Sequence, residues 1–337
     1  MHTPLTTRRL GTTDMEITTV GFGAWAIGGS KWAFGWGPQD DAQSIATIRR
    51  ALERGINWID TAAVYGLGHS EEVVRRALAD LAPSDRPYIF TKCGQVWNDA
   101  DPMAAPRQVL RPESIRRECE ASLRRLGVER IDLYQFHLPD EVGTPVEHSW
   151  AEMTRLIEEG KVRAGGVSNF DVALLERCEA IRHVDSLQPP FSLIKRRAAD
   201  AEIPWCAAHG TGVIVYSPMQ SGLLTGRFDE ARMRTLAPDD WRRRSPEFTQ
   251  PKLGRNLRLR DGLRPIAKRH STGVETVAIA WTLTWTGVTA AIVGGRTPDQ
   301  VDEWSDAGSI ELTPADLEDI ATLVRETGAG SGPSLSR

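Results

Sequence analysis

The chain has 337 residues, of which 40% are hydrophobic and 26% charged, and it carries a net charge of −4 at neutral pH. This is ordinary globular composition, and the acidic balance excludes a broad basic surface for nucleic acid. The length exceeds that of most single domains but suits an α/β barrel built as one unit.

The start, from Met1 to Thr7, has no apolar core and does not read as a secretory signal. No apolar run approaches the roughly 20 residues that span a bilayer. Four scattered cysteines (Cys93, Cys119, Cys178 and Cys206) form no CxxC pair, which fits reduced thiols in a cytoplasmic protein. The histidines show no metal-ligand spacing, so no metal is expected.

In chain order, a Gly11-Thr12-Thr13-Asp14 turn between short extended runs predicts an N-terminal hairpin over residues 8–19. Val20-Gly21-Phe22-Gly23 reads as a strand with glycines where side chains would crowd. Its loop carries Trp25, Trp32, Phe34 and Trp36, and a helix from about Asp40 aligns Ile45, Ile48 and Leu52. Strand 56–59 precedes a helix opened by Ser70-Glu71-Glu72. Strand 88–91 precedes a helix from Pro112 to Gly127, and strand 131–136 one from Pro145 to Gly160.

The second half keeps the rhythm. Strand 162–167 leads to a helix with Leu174, Leu175 and Cys178; strand 186–188 to a helix at 198–209; strand 212–216 to a long aperiodic segment from Ser217 to about Arg255. Loops of that length in compact domains are usually lids or binding loops. Its Arg242-Arg243-Arg244 run reads as a solvated face. A helical region at 257–283, strand 290–293 and helices from Pro298 and Pro314 complete the chain. Eight alternating strand–helix units predict an α/β fold, a (β/α)8 TIM barrel with an N-terminal β-hairpin and extra helices and loops at its C-terminal face. The runner-up, a doubly wound sheet, would show GxGxxG after its first strand, where Gly21-Phe22-Gly23-Ala24-Trp25-Ala26 lacks the last glycine. Residues 1–327 are expected to form one domain and residues 328–337 a disordered Gly/Ser-rich tail.

Chemistry concentrates at the strand ends. Asp60 ends one strand with Tyr65 just beyond it, Lys92 ends the next and His137 the one after. Singly, each has a structural reading: a cap, a rim tyrosine, a bridge, a satisfied histidine. Together, at successive strand ends of one barrel, they read as one site.

With these positions in place the chain resembles the aldo-keto reductases over residues 8–327. The resemblance rests on Asp60-Thr61-Ala62-x-x-Tyr65-Gly66, Thr91-Lys92, Asp132-Leu133-Tyr134-Gln135-x-His137, Gly166-Val167-Ser168-Asn169-Phe170 and Tyr216-Ser217-Pro218-x-x-x-Gly222-Leu223-Leu224-Thr225-Gly226. It is nearest to the bacterial branch that includes inositol-operon reductases, which is also similar to potassium-channel β subunits. The resemblance implies reduction of an aldehyde or ketone, with Tyr65 as proton donor, Lys92 lowering the phenol's pKa, Asp60 holding the lysine and His137 orienting the carbonyl oxygen. It also implies a nicotinamide cofactor, NADPH in preference to NADH. Ser168, Asn169 and Gln188 match carboxamide partners, Tyr216 the residue stacked on the ring, and Ala24 and Trp25 its neighbours. Ser217, Pro218, Met219, Ser221 and Arg227 match the segment over the pyrophosphate.

Gly294, Arg296, Gln300 and Glu303 match the adenosine phosphate site, with Arg296 suited to a 2′-phosphate. Gln300 stands where many relatives carry a second arginine, and Trp304 where an asparagine commonly contacts adenine. Trp32, Trp36 and Trp97 are candidate walls for a small-molecule carbonyl substrate. Two alternatives stay open: a cofactor-binding regulatory subunit, and a Schiff-base lyase using Lys92 as nucleophile.

Overall fold

The computed structural model describes residues 5–236 and 240–336. The first four residues of the start discussed above, residues 237–239 of the long loop and the last residue of the tail lie outside them.

Eight parallel strands close into a barrel in sequence order: β1 (Val20–Gly23), β2 (Trp58–Asp60), β3 (Tyr88–Cys93), β4 (Ile131–Phe136), β5 (Val162–Ser168), β6 (Ser186–Gln188), β7 (Gly212–Tyr216) and β8 (Val288–Gly294). The ring closes where β8 pairs with β1, Ala291 opposite Val20 and Gly294 opposite Gly23. Helices α1 (Asp41–Glu53), α2 (His69–Ala77), α3 (Pro112–Leu126), α4 (Val146–Glu158), α5 (Val172–Glu179) and α6 (Glu202–His209) follow the first six strands. The outer layer is completed by α7 (Glu230–Arg234), α8 (Lys252–Gly262), α9 (Arg264–Arg269), α10 (Val274–Leu283), α11 (Pro298–Trp304) and α12 (Pro314–Thr327).

The barrel interior is a packed core, as alternation along each strand requires. Trp58, Phe90, Leu133, Ala164, Ile214, Ala290 and Ile292 fill it, and the hairpin of Thr7–Arg9 with Glu16–Thr18 plugs its lower end with Leu10, Met15 and Ile17. Gly21 has to be glycine here, because a Cβ would fall inside the Trp58 indole. With the bottom sealed, the barrel opens where its strands end at the top.

Several local expectations shift. Ser70 does not open α2; Gly68, in a left-handed conformation, is its N-cap, and Ser70 and Glu71 are buried inside it. Ser70 Oγ donates to Ala24 O at 3.0 Å, and Glu71 ties Thr91 Oγ1 at 2.6 Å to Arg125 Nε at 2.6 Å, so α2 is riveted beneath the site. On α1 the buried face is Ser44, Thr47, Ile48 and Ala51, with Ile45 and Leu52 at its margin. The helix expected over 198–209 breaks into a turn and α6, since Pro204 has no N–H for a helix continuing from Asp200. A two-stranded ribbon, Gln95–Val96 with Arg107–Gln108, was not foreseen.

The tail expected to be disordered instead docks on the segment after β6. Ser331 bridges Lys195, and the Arg196 guanidinium is buried against the carbonyls of Leu193 and Ala329. Gly330 adopts φ +67°, and a Cβ there would overlap the Ile194 backbone, so the glycine serves close approach.

Candidate active site

A cavity of about 1040 Å³ opens at the C-terminal ends of the strands. β2 delivers Asp60, β3 Lys92, β4 His137, β5 Ser168 and Asn169, β6 Gln188 and β7 Tyr216; Tyr65 stands on the turn after β2. Lys92 is wholly buried behind Asp60, with Nζ 2.5 Å from Asp60 Oδ1 and 3.0 Å from Thr61 O. The same Nζ lies 3.5 Å from the Tyr65 hydroxyl. Tyr65 faces the cavity, its ring edge-on to His137 with centroids 5.6 Å apart. A buried ion pair is stable only when its remaining lone pairs are satisfied. Asp60 Oδ2 meets this by accepting from Gln188 Nε2 at 2.9 Å and Gln135 Nε2 at 3.4 Å.

The electrostatics differ from the expectation in one respect. Lys92 was to lower the phenol's pKa, yet burial first, and then the charge of Asp60, push Tyr65 well above 10. The lysine's charge is largely spent on Asp60, and burial pulls its own pKa down. His137 falls well below the usual imidazole value, through burial and then the Lys92 charge, so it is neutral at pH 7.

All the residues matched to the cofactor line this one cavity: Ala24, Trp25, Asp60, Ser168, Asn169, Gln188, Tyr216, Ser217, Pro218, Met219, Ser221, Arg227, Gly294, Arg296, Gln300 and Glu303. Ser168, Asn169 and Tyr216 are tied together, Asn169 Nδ2 donating to Ser168 Oγ at 2.9 Å and Tyr216 OH to Asn169 Oδ1 at 2.9 Å. Asn169, Ser217 and Ser221 hold φ of 62°, 57° and 54°, conformations that non-glycine residues keep only where the surroundings impose them. Arg227 reaches across the cavity to Glu303.

Arg296 does not stand free to meet a phosphate. Nε donates to Gln39 Oε1 at 2.7 Å, and the other two nitrogens donate to the carbonyls of Trp36 and Pro38. Gln300 Oε1 accepts from the Arg296 backbone N–H at 2.8 Å, filling part of the cradle expected there. Trp304 is buried, with an indole N–H that lacks a partner among the described residues.

Of the candidate substrate walls, Trp36 and Trp32 line the cavity, although Trp32 is almost sealed beneath it and donates to Gly29 O at 3.3 Å. Trp97 does not line it; its Nε1 turns to Asp99 at 2.8 Å. Within the long loop Phe228, Arg232 and Arg242 line the cavity and were missed, as was Trp241, which packs against its lining. Trp241 stacks on Trp25 at 5.8 Å, and Arg242, read as solvated, lies 4.9 Å over the Trp36 ring while paired with Asp240 at 2.7 Å. The loop's length pointed to a lid, but nothing local marks which of its residues turn inward.

Tyr65, Lys92, Asp60 and His137 thus stand together at the mouth of a closed eight-stranded barrel. The Aldo/keto reductase family model matches residues 19–325, and the chain belongs to that family. It is 34% identical over 319 residues to the aldo-keto reductase YhdN of Bacillus subtilis strain 168, covering 94% of this chain and 92% of that one. It is 35% identical over 326 residues to the NADH-specific methylglyoxal reductase of Escherichia coli K12, covering 94% and 96%. The glycerol dehydrogenase AKR11B4 of Gluconobacter oxydans superposes with a TM-score of 0.87 at 35% identity, covering 98% of both chains. The protein is therefore an NAD(P)H-dependent oxidoreductase of carbonyl compounds. These relatives support the reductase reading over the regulatory and lyase alternatives. Lys92, sealed behind Asp60 and outside the cavity lining, is also poorly placed as a nucleophile. No helix among the described residues is long and apolar enough to cross a membrane.

Proposed function

We propose that Tyr65 gives the proton to an aldehyde or ketone oxygen, with Lys92 and Asp60 supporting it and His137 orienting the carbonyl. The observation that carries this reading is the chain from Asp60 through Lys92 to a Tyr65 hydroxyl facing the cavity beside His137. The nicotinamide cofactor, when bound, supplies the hydride to the carbonyl carbon. Negative charge then builds on the oxygen, and a phenol held protonated at neutral pH is the form able to answer it. Lys92 Nζ is close enough to stabilise the phenolate that remains. A neutral His137 orients by hydrogen bonding without adding charge.

Ser168, Asn169 and Gln188 are proposed to hold the carboxamide, Tyr216 to stack on the ring, and Ala24 and Trp25 to flank it. Ser217, Pro218, Met219, Ser221 and Arg227 are proposed to cover the pyrophosphate, with Gly294, Arg296, Gln300 and Glu303 at the adenosine end. The donor set fits such a group: acceptor oxygens and a flat phenol at one end, arginines at the other. A preference for NADPH is supported by the grouping of Arg296 with Arg242 and Arg232. Burial, and then the charge of these two neighbours, lowers the Arg296 pKa, while its guanidinium already donates to Gln39, Trp36 and Pro38. Trp25, Trp32 and Trp36 make the substrate wall apolar and aromatic. Four free, buried cysteines support a cytoplasmic setting.

Fluorescence titration with NADPH and, separately, NADH tests this reading. Tighter NADPH binding is expected; equal binding removes the NADPH preference, and binding of neither by folded protein removes the cofactor site.

A further inference from the structure

One polar side chain behind the cavity floor has so far served only to satisfy an oxygen of Asp60. Gln135, near the end of β4, is completely buried and absent from the lining. Its Oε1 accepts from Gln188 Nε2 at 3.2 Å, and its Nε2 donates to Asp60 Oδ2 at 3.4 Å. Gln188 Nε2 also donates to Asp60 Oδ2 at 2.9 Å. An amide nitrogen has two hydrogens. Both hydrogens of Gln188 are thus spent behind the cavity, leaving Oε1, an acceptor, to face it.

Asn169 repeats the pattern. Its Nδ2 donates to His137 O at 3.0 Å and to Ser168 Oγ at 2.9 Å, while the Ser168 hydroxyl donates to Gln188 O at 2.8 Å. This corner therefore offers acceptors and holds back its amide donors.

We infer that Gln135 is a positioning residue that fixes Gln188 as an acceptor, so that the subsite selects a ring substituent with N–H donors, a primary carboxamide, over a ketone of the same shape. The inference rests on the cofactor reading above. Asp60 alone does not suffice, because its hydrogen bond engages one N–H of Gln188. Without Gln135 the second N–H is left buried and unpaired unless it turns toward the cavity, and an unpaired buried donor is the costlier state. Turning it forward places a donor where the site now has none.

The test is a fluorescence titration of wild type and Gln135→Met with NADPH and with its 3-acetylpyridine analogue, in which a methyl ketone replaces the carboxamide. Wild type is expected to prefer NADPH by about tenfold, the worth of one hydrogen bond in a buried site. In Gln135→Met the preference is expected to fall by about threefold or more, since Gln188 can then donate to the ketone. A merely structural role weakens both nucleotides together and leaves the ratio unchanged, so a folded Gln135→Met with the wild-type ratio overturns the inference. Equal binding of the two nucleotides by wild type overturns it as well. Binding of neither by wild type overturns the cofactor reading itself and this assignment with it.

Should Gln135→Met not fold, Gln135→Leu removes the same acceptor without placing a second carboxylate against Asp60 Oδ2. The same fall in the ratio, about threefold or more, is expected, and a wild-type ratio overturns the assignment.

Discussion

The strand ends that floor the cavity and the loops that roof it are built on different principles. On the floor, Asp60, Lys92, Gln135, Gln188, Ser168 and Asn169 are joined by hydrogen bonds, and the charged pair has side chains at most 3% exposed. The roof is made of rings and guanidiniums. Trp25 stacks on Trp241, Trp36 meets both edge-on, and Arg242 lies over Trp36. The indole N–H groups of Trp36 and Trp241 have no hydrogen-bond partner among the described residues. Barrel strands are paired on both sides, which gives their end residues directional, reproducible geometry. Loops are placed mainly by packing, which specifies shape more than direction. The floor is thus suited to chemistry and the roof to enclosure.

The largest effect that would test this division is on catalysis. Tyr65→Phe should lower kcat for carbonyl reduction by on the order of 10³-fold, with cofactor affinity within about twofold of wild type. Retention of most activity by the Phe variant would remove Tyr65 as the proton donor.

The floor's ion pair should carry stability as well. Lys92→Met strands a buried carboxylate and is expected to cost about 3–5 kcal/mol in denaturant unfolding. Adding Asp60→Asn should return much of that stability without returning activity. A double variant no more stable than Lys92→Met would show that the charge pairing is not what matters.

The roof should behave in the opposite way. Trp241→Ala is expected to raise the KM for cofactor or substrate by about threefold to tenfold, while the thermal midpoint moves by less than about 3 °C. A midpoint drop much larger than this would mean that the tryptophan cluster is part of the folding core.

The smallest effects lie in pH dependence. Reduction needs the protonated phenol, and the Tyr65 pKa is raised above 10 by burial and then by Asp60. The rate of reduction should therefore stay level across the neutral and mildly alkaline range and be lost only as pH rises through that elevated value. His137 has a depressed pKa, so folding favours its neutral form. Its contribution to stability is present above about pH 6.5, the unfolded value, and is lost as pH falls through the folded one. Unfolding free energies measured from pH 7.5 downward, for wild type and His137→Asn, should diverge in slope below pH 6.5; parallel curves would place the titration elsewhere.

Much of the floor was legible in the chain because its signals are local. A strand's period and its abrupt polar end mark Asp60, Lys92, His137, Ser168 and Gln188 whatever they later touch. Alternating strands and helices likewise point to a barrel, and Gly21 beside a buried indole shows why a glycine sits in the first strand.

What tertiary structure alone decided are the choices made between segments far apart in sequence. Gln135 and Gln188 meet Asp60 across 75 and 128 residues, and no spacing rule reports that pairing or the way each amide points. Arg296 spends its guanidinium on the loop at 36–39, and Arg242 turns in over Trp36, because packing left those partners nearest. The Gly/Ser-rich tail reads as disorder by composition, yet its glycines let it lie against the Leu193–Arg197 segment. Residue type and period determine which elements form and what chemistry their ends carry. Where each donor finds its acceptor is set by close packing and by the cost of leaving a buried polar group unpaired, and both act only once the chain is folded.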